Sequence, residues 1–326
     1  RPPPQLFCCC SCSRPMPESR RRRPAAAALL FIGAGCFGGV ALLPGREGPS
    51  AMAVPLRRVL VTGGNKGIGL ALCKQLCRDQ GFHVLLGSRD AGRGEEAIGS
   101  ILKEAPQCDG RIELLRIDTS EDASVATAAE NVAAKFGTDP APLYGVVNNA
   151  GVGFGRSMAD TLAVNTYGPK RVSEAFLPLL CPSTGRIVNI ASASGPMYVA
   201  GCPPEEAKVL TDPAVMWEQI EALISRALSS SGREAYGFSK ACLNAYTVML
   251  AREHPSLCIN SCTPGFILTD ITRGMGATKS PDEGTKAAIH CLTADLKNDG
   301  LYYGSDAVRS PLDRYRGPGD PPYKGP

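Results

Sequence analysis

Short apolar runs alternate with amphipathic stretches from Val54 onwards, often with glycine at the turn between them. The apolar runs lack a polar face, which is typical of parallel strands that helices cover on both sides. This alternation predicts an α/β fold with a doubly wound parallel sheet, whose ligands bind at the carboxyl ends of the strands. The predicted strands are 59–62, 83–88, 112–117, 145–147, 187–190 and 257–262. The predicted helices include 68–79, 124–136 and 169–180.

The composition is that of a globular protein, with 44% hydrophobic and 20% charged residues. These values exclude a disordered polyelectrolyte and a protein built of many membrane spans. The net charge of +4 arises from residues 1–51, which hold seven Arg and two Glu. The rest of the chain is near neutral, so no nucleic-acid partner is predicted.

Residues 1–53 differ in composition from the alternating region. Four arginines at 20–23 precede an uncharged stretch, 25–43, and a segment rich in Pro, Gly and Ser. This order is typical of a signal sequence, and the stretch is also long enough for an uncleaved membrane anchor. An over-extended gene model is the alternative, because Met52 stands just before the first predicted strand. We expect a cytoplasmic protein if residues 1–51 are an artefact, and otherwise an organellar or membrane-anchored one with membrane contact through 25–43 alone.

The cysteines and histidines show no metal-binding pattern. Of the 14 cysteines, nine are scattered through the body of the chain, mostly in apolar runs, which indicates reduced, buried thiols. Cys9 and Cys12 form a CxxC with no second pair or histidine at zinc-ligand spacing. His83, His254 and His290 lie far apart in the sequence. No metal site is predicted.

A glycine-rich loop follows the first predicted strand directly and opens the first predicted helix. It reads TGGNKGIG at residues 62–69. Glycines let the backbone turn tightly and approach a pyrophosphate, which the N–H groups of a helix N-terminus bind. This position favours a dinucleotide site over an ordinary βα turn. The residues expected at the cofactor are Gly63, Asn65, Lys66, Gly67, Ile68 and Gly69.

The end of the second predicted strand favours NADP(H) over NAD(H). Arg89 stands where an acidic residue would bind the ribose 2′-hydroxyl of NAD(H). With Lys66 it would form a two-cation site suited to a 2′-phosphate. The alternative is that both are solvated surface charges, and Asp90 beside Arg89 argues in that direction.

Tyr236 and Lys240 have the i, i+4 spacing that places two side chains on one face of a helix. A neighbouring ammonium and a cationic nicotinamide stabilise a phenolate and lower the pKa of a phenol, ordinarily about 10. Ser192 directly follows the strand 187–190 and is therefore expected near the cofactor. The three residues together predict a proton-transfer site.

Seven sequence pieces, in order, resemble the short-chain dehydrogenase/reductase family over about residues 58–292. The resemblance implies a single Rossmann-fold, NADP-binding domain over 54–305. It also implies NADPH-dependent reduction of a ketone, aldehyde or quinone to an alcohol. The pieces are TGGNKGIG at 62–69, Asp118 after the third strand, NNAG at 148–151, Asn165, NIAS ending at Ser192, YGFSK at 236–240 and PGFILTD at 264–270.

The resemblance also implies roles for these residues. Tyr236 would protonate the carbonyl oxygen, and Ser192 would donate a hydrogen bond to it. Lys240 would bind the nicotinamide ribose and tune Tyr236, and Asn165 would hold a water molecule in a proton relay. Both Tyr236 and Lys240 would contact the cofactor.

Further cofactor contacts follow from the same resemblance. Asp118 would contact the adenine, and Asn149 would contact another part of the cofactor. The segment after the sixth predicted strand would cover the nicotinamide. Its expected contact residues are Pro264, Gly265, Ile267 and Thr269.

The long interval between Ser192 and Tyr236 predicts an inserted helix over 213–228. Asp212 and Pro213 supply an N-cap and a first-turn proline, and apolar residues recur behind them at helical spacing. The insertion resembles the carbonyl-reductase branch of the family, which implies a monomer. Trp217 on this helix is expected to pack rather than to contact substrate.

Two questions stay open in the sequence. The Pro/Gly-rich tail, 306–326, does not match the carbonyl reductases and could be a strap over the substrate side or a partly ordered surface tail. The activity could also be that of a reductase or dehydrogenase of a specialised terpenoid, alkaloid or pigment. A non-catalytic NADPH-binding sensor is the alternative from another class.

Overall fold

Eight strands form one sheet in the computed structural model, which describes residues 56–230, 232–296 and 300–325. Their order is β3-β2-β1-β4-β5-β6-β7-β8, parallel throughout except for the final antiparallel pair, which confirms the predicted fold class. The strands are β1 (Arg58–Val61), β2 (His83–Ser88), β3 (Ile112–Arg116), β4 (Gly145–Asn148), β5 (Arg186–Ile190), β6 (Cys258–Cys262), β7 (Tyr302–Tyr303) and β8 (Arg309–Ser310).

Helices cover both faces of the sheet. One face carries α1, α2 and α10, and the other carries α3, α5 and α9. The helices are α1 (Gly67–Arg78), α2 (Ala91–Glu104), α3 (Asp122–Phe136), α4 (Met158–Leu162), α5 (Gly168–Phe176), α6 (Ser194–Gly201), α7 (Pro204–Leu210), α8 (Trp217–Leu228), α9 (Ala235–Glu253) and α10 (Lys286–Thr293).

The apolar strands are buried on both faces, as the sequence predicts. In β1, Val59 and Val61 pack with the helices of one face, whereas Leu60 packs with those of the other. Successive side chains of a strand point to opposite faces, so a two-sided core requires an unbroken apolar run. The strand order reverses between β1 and β4, which places a ligand crevice at their carboxyl ends.

The inserted region differs from the prediction in two respects. The helix begins at Trp217 rather than at 213, because the Asp212 side chain accepts a hydrogen bond from the Ala214 N–H (2.8 Å) in a preceding turn. A second helix, α7, precedes it. The prediction for Trp217 is confirmed, since its ring packs against those of Tyr167 and Tyr246, with centroids 5.6 and 5.9 Å away.

One further boundary differs at α5. The predicted helix 169–180 ends at Phe176 and continues as a single tighter turn over Leu177–Leu179. Pro178 in this turn has no N–H to donate to the α-helical pattern, which accounts for the early end.

The chain after residue 300 folds back on the sheet. β8 pairs with β7, and the Arg316 guanidinium binds the Asp306 carboxylate at 2.8 and 3.0 Å. Part of the Pro/Gly-rich tail is thus built into the sheet edge. Among the described residues, no helix has the length and apolar character needed to cross a membrane, and the stretch 25–43 lies outside them.

The nine cysteines of the body form no disulfide in the part of the chain that the structure describes. Six of them are buried and three are half-buried. The prediction of mostly buried thiols is confirmed for these nine residues, while Cys9 and Cys12 lie outside the described ranges.

Candidate active site

The glycine-rich loop adopts the conformation that a phosphate-binding turn needs. Gly63 and Gly67 have φ values of +64° and +55°, in the left-handed region that favours glycine. A Cβ at Gly69 would lie 2.3 Å from the Gly63 carbonyl oxygen, so a side chain does not fit there. Asn65 and Ile68 are half-buried on the same loop.

The loop is tied to the end of β4. The Asn149 side-chain amide donates to the carbonyl oxygens of Thr62 (2.9 Å) and Gly63 (3.2 Å). The Thr62 hydroxyl accepts from the backbone N–H groups of Asn149 (3.0 Å) and Ala150 (3.1 Å). Asn149 therefore holds the glycine-rich loop in place. The NNAG motif alone does not reveal this contact.

The start of α1 is open to an anion. Lys66 occupies the N-cap without a side-chain cap hydrogen bond, and the first turn holds no acidic residue. The first N–H groups of a helix lack intrahelical partners and attract negative charge. The donor set and the glycine backbone therefore fit a pyrophosphate group.

The two predicted cations have different surroundings. Lys66 Nζ forms an exposed salt bridge with Asp270 Oδ2 at 2.7 Å, and Arg273 binds the same carboxylate. Arg89 is exposed just beyond β2, and its charge acts on Asp118. In the structure Lys66 is therefore paired with Asp270. Arg89 lies just after β2, the position predicted for a cation that binds the ribose 2′-phosphate.

Asp118 follows β3, as expected, and its side chain organises its own turn. Its Oδ1 accepts from the N–H (3.0 Å) and the hydroxyl (2.6 Å) of Ser120. Partial burial acts to raise the pKa of Asp118, but these hydrogen bonds and the charges of Arg89 and Arg171 outweigh it. The net result is a pKa below the ordinary value, so the carboxylate is ionised at neutral pH.

Ser192 and Tyr236 meet at the carboxyl end of β5. The pKa of the Tyr236 phenol is raised, chiefly by burial; the hydrogen bond with Ser192 opposes this shift and the Glu234 carboxylate adds to it. The sequence argument predicts a lowered pKa, but that argument includes a cationic nicotinamide. In the protein by itself desolvation prevails, and the phenol keeps its proton at neutral pH.

Lys240 lies beneath Tyr236 with its side chain enclosed. It is 5% exposed, its Nζ donates to the Ile190 carbonyl oxygen at 2.8 Å, and Nζ lies 6.0 Å from the Tyr236 ring centroid. Burial lowers the pKa of this ammonium to about 8. Ile190 O is its one acceptor among the residues described, so two N–H bonds are left for a ligand such as a ribose diol.

Asn165 sits in a π-helical turn, Ala163–Tyr167, between α4 and α5. Its amide exchanges two hydrogen bonds with the Val152 backbone (2.9 and 3.0 Å) and donates to Ser239 Oγ (3.1 Å). A Cβ at Gly151 would lie 3.3 Å from Asn165 Oδ1 and 3.7 Å from Lys240 Nζ. Asn165 and Lys240 thus border the same small region, and π-turns are frequent at functional sites.

The segment after β6 lies against the glycine-rich loop. A Cβ at Gly67 would be 3.5 Å from Thr269 Cγ2, and one at Gly284 would meet both Ile267 (2.9 Å) and Ile68 (3.3 Å). Ile267 is buried. Pro264 lines a different, open groove of about 610 Å³ beside α10, and Gly265 approaches Ser305.

A cleft of about 350 Å³ opens beside Tyr236. The Phe154 ring forms one wall, with its centroid 4.5 Å from that of Tyr236, and Ile271 packs against the preceding residue, Gly153. Apart from Tyr236, the sequence analysis named none of the lining residues, because Phe154 stands in an irregular Gly-rich loop without periodicity. The lining residues are Gly153, Phe154, Gly155, Arg156, Met158, Thr161, Arg233, Glu234, Ala235 and Tyr236.

Known proteins resemble this chain in sequence. A family model described as short chain dehydrogenase matches residues 57–204. The chain is 34% identical to (+)-neomenthol dehydrogenase of Arabidopsis thaliana, over 72% of this chain and 90% of that protein. It is 30% identical to carbonyl reductase (NADPH) 1 of Macaca fascicularis, over 75% of this chain and 94% of that protein.

A solved structure shares the fold of this chain. Salutaridine reductase from Papaver somniferum superposes with a TM-score of 0.66 at 28% identity, covering 76% of this chain and 99% of that one.

Proposed function

Because this chain belongs to the short-chain dehydrogenase/reductase family, we propose that it reduces the carbonyl group of a small molecule to an alcohol with NADPH. The observation that carries the proposal is the meeting of Ser192, Tyr236 and Lys240 beside a cleft. The Ser192 hydroxyl lies close enough to the Tyr236 phenol to act on its pKa, and the Lys240 Nζ lies 6.0 Å from the centroid of that ring. A protein that only sensed a nucleotide would have no chemical need for this set.

Each side chain has a definite task in the reduction. Tyr236 keeps its proton at neutral pH, so it can donate that proton to a carbonyl oxygen. The Ser192 hydroxyl, next to the phenol, would donate a hydrogen bond to the same oxygen and orient it. The buried Lys240 charge stabilises the phenolate left after proton transfer. When bound, the reduced nicotinamide supplies the hydride.

The residues that would hold the cofactor follow from the donor set. The open N-terminus of α1 and the glycine backbone of 63–69 would bind the pyrophosphate. Lys240 would bind the nicotinamide ribose with its two remaining N–H bonds, and Asp118 would contact the adenine. Asn149 would contact the cofactor while holding the loop, and Asn165, which fixes the backbone at Val152, would hold a water molecule in the proton relay.

NADPH is favoured over NADH by the cation after β2. The exposed Arg89 guanidinium can bind a ribose 2′-phosphate with two parallel hydrogen bonds. Lys66 would join it after exchanging Asp270 for the phosphate. An exposed salt bridge such as Lys66–Asp270 is screened by solvent and contributes little to stability, so this exchange costs little.

A reductase of a specialised apolar ketone is the second candidate, and the cleft favours it. Phe154 lines the cleft and is 47% exposed, although it is a large apolar side chain. An alicyclic or aromatic ketone would cover the Phe154 ring on binding. One relative is named for the oxidation of such a compound, neomenthol.

The proposal also covers the domain limits, the C-terminal tail and the oligomeric state. Residues 54–305 form the catalytic domain, and 306–326 are a C-terminal extension of it. The protein acts as a monomer, because α7 and α8 already cover the outer side of α9 with Ile220, Leu223 and Ile224 buried. Size-exclusion chromatography with light scattering tests the last point.

The test of the proposed function follows NADPH consumption with a panel of ketones, aldehydes and quinones. Tyr236→Phe is expected to lose about 100- to 10,000-fold in kcat, the range for a general acid, with NADPH affinity kept. Tyr323→Phe, a remote tyrosine that packs on Arg309 and Arg314, is the matched control. Equal rates for the native protein and Tyr236→Phe, or NADPH binding without any turnover, would overturn the proposal.

A further inference from the structure

A charged network links the inserted helix α7 to the start of α9. The Glu206 carboxylate on α7 is 3% exposed. It accepts hydrogen bonds from Arg233 (2.6 and 2.8 Å) and from the Tyr198 hydroxyl on α6 (2.6 Å). Arg233 also donates to the Tyr198 oxygen at 3.0 Å. A buried carboxylate is costly without partners, so these contacts hold three chain segments together.

The network continues into the residue that would donate the proton. Arg233 is followed by Glu234, whose carboxylate caps α9 by accepting from the N–H groups of Tyr236 (2.8 Å) and Gly237 (2.5 Å). Both Arg233 and Glu234 line the cleft. The position of the first turn of α9, and with it the Tyr236 ring, therefore depends on where Arg233 is held.

The same network reaches the Ser192 side of the site. Ser192 Oγ accepts from the Ser194 N–H (3.2 Å) at the start of α6, the helix that carries Tyr198. A Cβ at Gly237 would lie 2.8 Å from Ser194 O and 3.2 Å from Tyr198 Cβ, so α6 and α9 touch at this point. Glu206 thus contacts α6, which begins just after Ser192, and the segment that leads into α9, which carries Tyr236.

We propose that Glu206, through Arg233 and Tyr198, is a positioning residue that fixes the Tyr236 phenol relative to the Ser192 hydroxyl. This inference rests on the proposed function. By this inference the inserted helix α7 helps to position a reacting group, in addition to covering α9. A displacement of about 1 Å at reacting atoms can cost on the order of 100-fold in rate, so loss of the network should reduce kcat while cofactor binding stays intact.

The test uses Glu206→Gln, which keeps the size of the side chain but removes its charge. We expect kcat to fall about 10- to 100-fold, with the NADPH dissociation constant within about twofold of the native value. Arg233→Lys keeps the charge and one donor nitrogen, as Nη1 alone makes the Arg233 contacts, so it should retain more of the native kcat than Glu206→Gln does. Glu113→Gln, which breaks the ion pair with Lys135 at the opposite edge of the sheet, is the matched control.

A spectroscopic signature separates positioning from general destabilisation. In protein labelled with [¹³Cζ]tyrosine, the Tyr236 signal is assigned by its loss in Tyr236→Phe. It should shift in Glu206→Gln and stay in place in Glu113→Gln. If Glu206→Gln does not fold, the same measurements of kcat and of the Tyr236 signal are made on Tyr198→Phe and Arg233→Lys. These two variants alter the partly exposed side of the network.

The outcomes are distinguishable from those of the proposed function. A Glu206→Gln protein with native kcat and an unmoved Tyr236 signal would overturn the positioning role and leave the reductase intact. An equal loss of kcat in Glu113→Gln would also overturn it. If the native protein turns over no carbonyl, the proposed function fails, and the Tyr236 signal alone then supports or refutes the coupling to Glu206.

Discussion

Burial has opposite effects on the pKa values of the two neighbouring groups in the candidate site. It raises the pKa of the Tyr236 phenol and lowers that of the Lys240 ammonium to about 8, since both charged forms lose solvation. The i, i+4 spacing predicts that the two residues share a helix face, and it does not indicate how deeply they lie. The sequence therefore identified the pair, while the sign of the phenol shift needed the structure.

Other residues of the site carry no recognisable sequence signal. Glu234 caps α9, yet Glu is not among the usual N-cap residues, which are Ser, Thr, Asp and Asn. Glu206 and Arg233 are distant in sequence from Ser192 and come together through the fold. Phe154 belongs to a loop without periodicity. These contacts are tertiary, and a pattern along the chain does not record them.

At this scale the preference for NADPH is testable through Arg89. Arg89→Ala should weaken NADPH binding about 10- to 100-fold, because a hydrogen-bonded charge contributes about 1.5–3 kcal/mol, and leave NADH binding within about twofold. Arg93→Ala, another exposed arginine in the first turn of α2, is the control. Fluorescence titration with both nucleotides measures the effect. An equal loss for the two nucleotides would contradict the assignment.

At the scale of elements, the strands were predicted within a residue at each end, because two-sided burial requires unbroken apolar runs. The helices were less accurate. The helix start at 213 was wrong because Asp212 caps a local turn instead, and α7 was missed because it spans only Pro204–Leu210. The two-residue strands β7 and β8 are too short to show a pattern.

The glycine-rich loop allows an element-scale prediction. Gly69→Ala should destabilise the fold by about 1–3 kcal/mol and weaken NADPH binding, because its Cβ would lie 2.5 Å from Asn149 Nδ2 and closer still to Gly63 O. Gly99→Ala is the control: inside α2, its Cβ would meet nothing within 4 Å. That change should stabilise the protein by about 0.5–1 kcal/mol. Thermal unfolding and NADPH titration measure both variants, and native-like values for Gly69→Ala would contradict the close packing of the loop.

At the scale of the whole molecule, the Asp306–Arg316 pair fastens the C-terminal segment to the sheet edge. The side chains are 17% and 6% exposed. The sequence left the tail open between a strap and a surface segment, because neither a two-residue strand nor an ion pair within a Pro/Gly-rich stretch follows from composition. The contact is a property of the complete fold.

This pair predicts a pH dependence of stability. Hydrogen bonds from Arg316 lower the pKa of Asp306 from 3.8 to about 2. A depressed carboxyl pKa stabilises the folded state above the unfolded pKa, so about 2 kcal/mol should be present above pH 4 and lost as the pH falls towards 2. Asp306→Asn should lower the melting temperature at pH 7, by an amount that shrinks below pH 4. Asp313→Asn, in an exposed pair with Arg314, is the control. A difference that does not change with pH would contradict the assignment.

The ends of the sheet have a consequence for how the protein behaves at high concentration. One outer strand, β8, is two residues long, and the other, β3, carries Glu113 and Arg116 among its apolar residues. A growing fibril needs a long, flat, uncharged border on which further chains can add. Neither edge of this sheet offers such a template. Partial unfolding of the C-terminal hairpin, β7–β8, would expose the edge of β6, and we expect aggregation to start from that state.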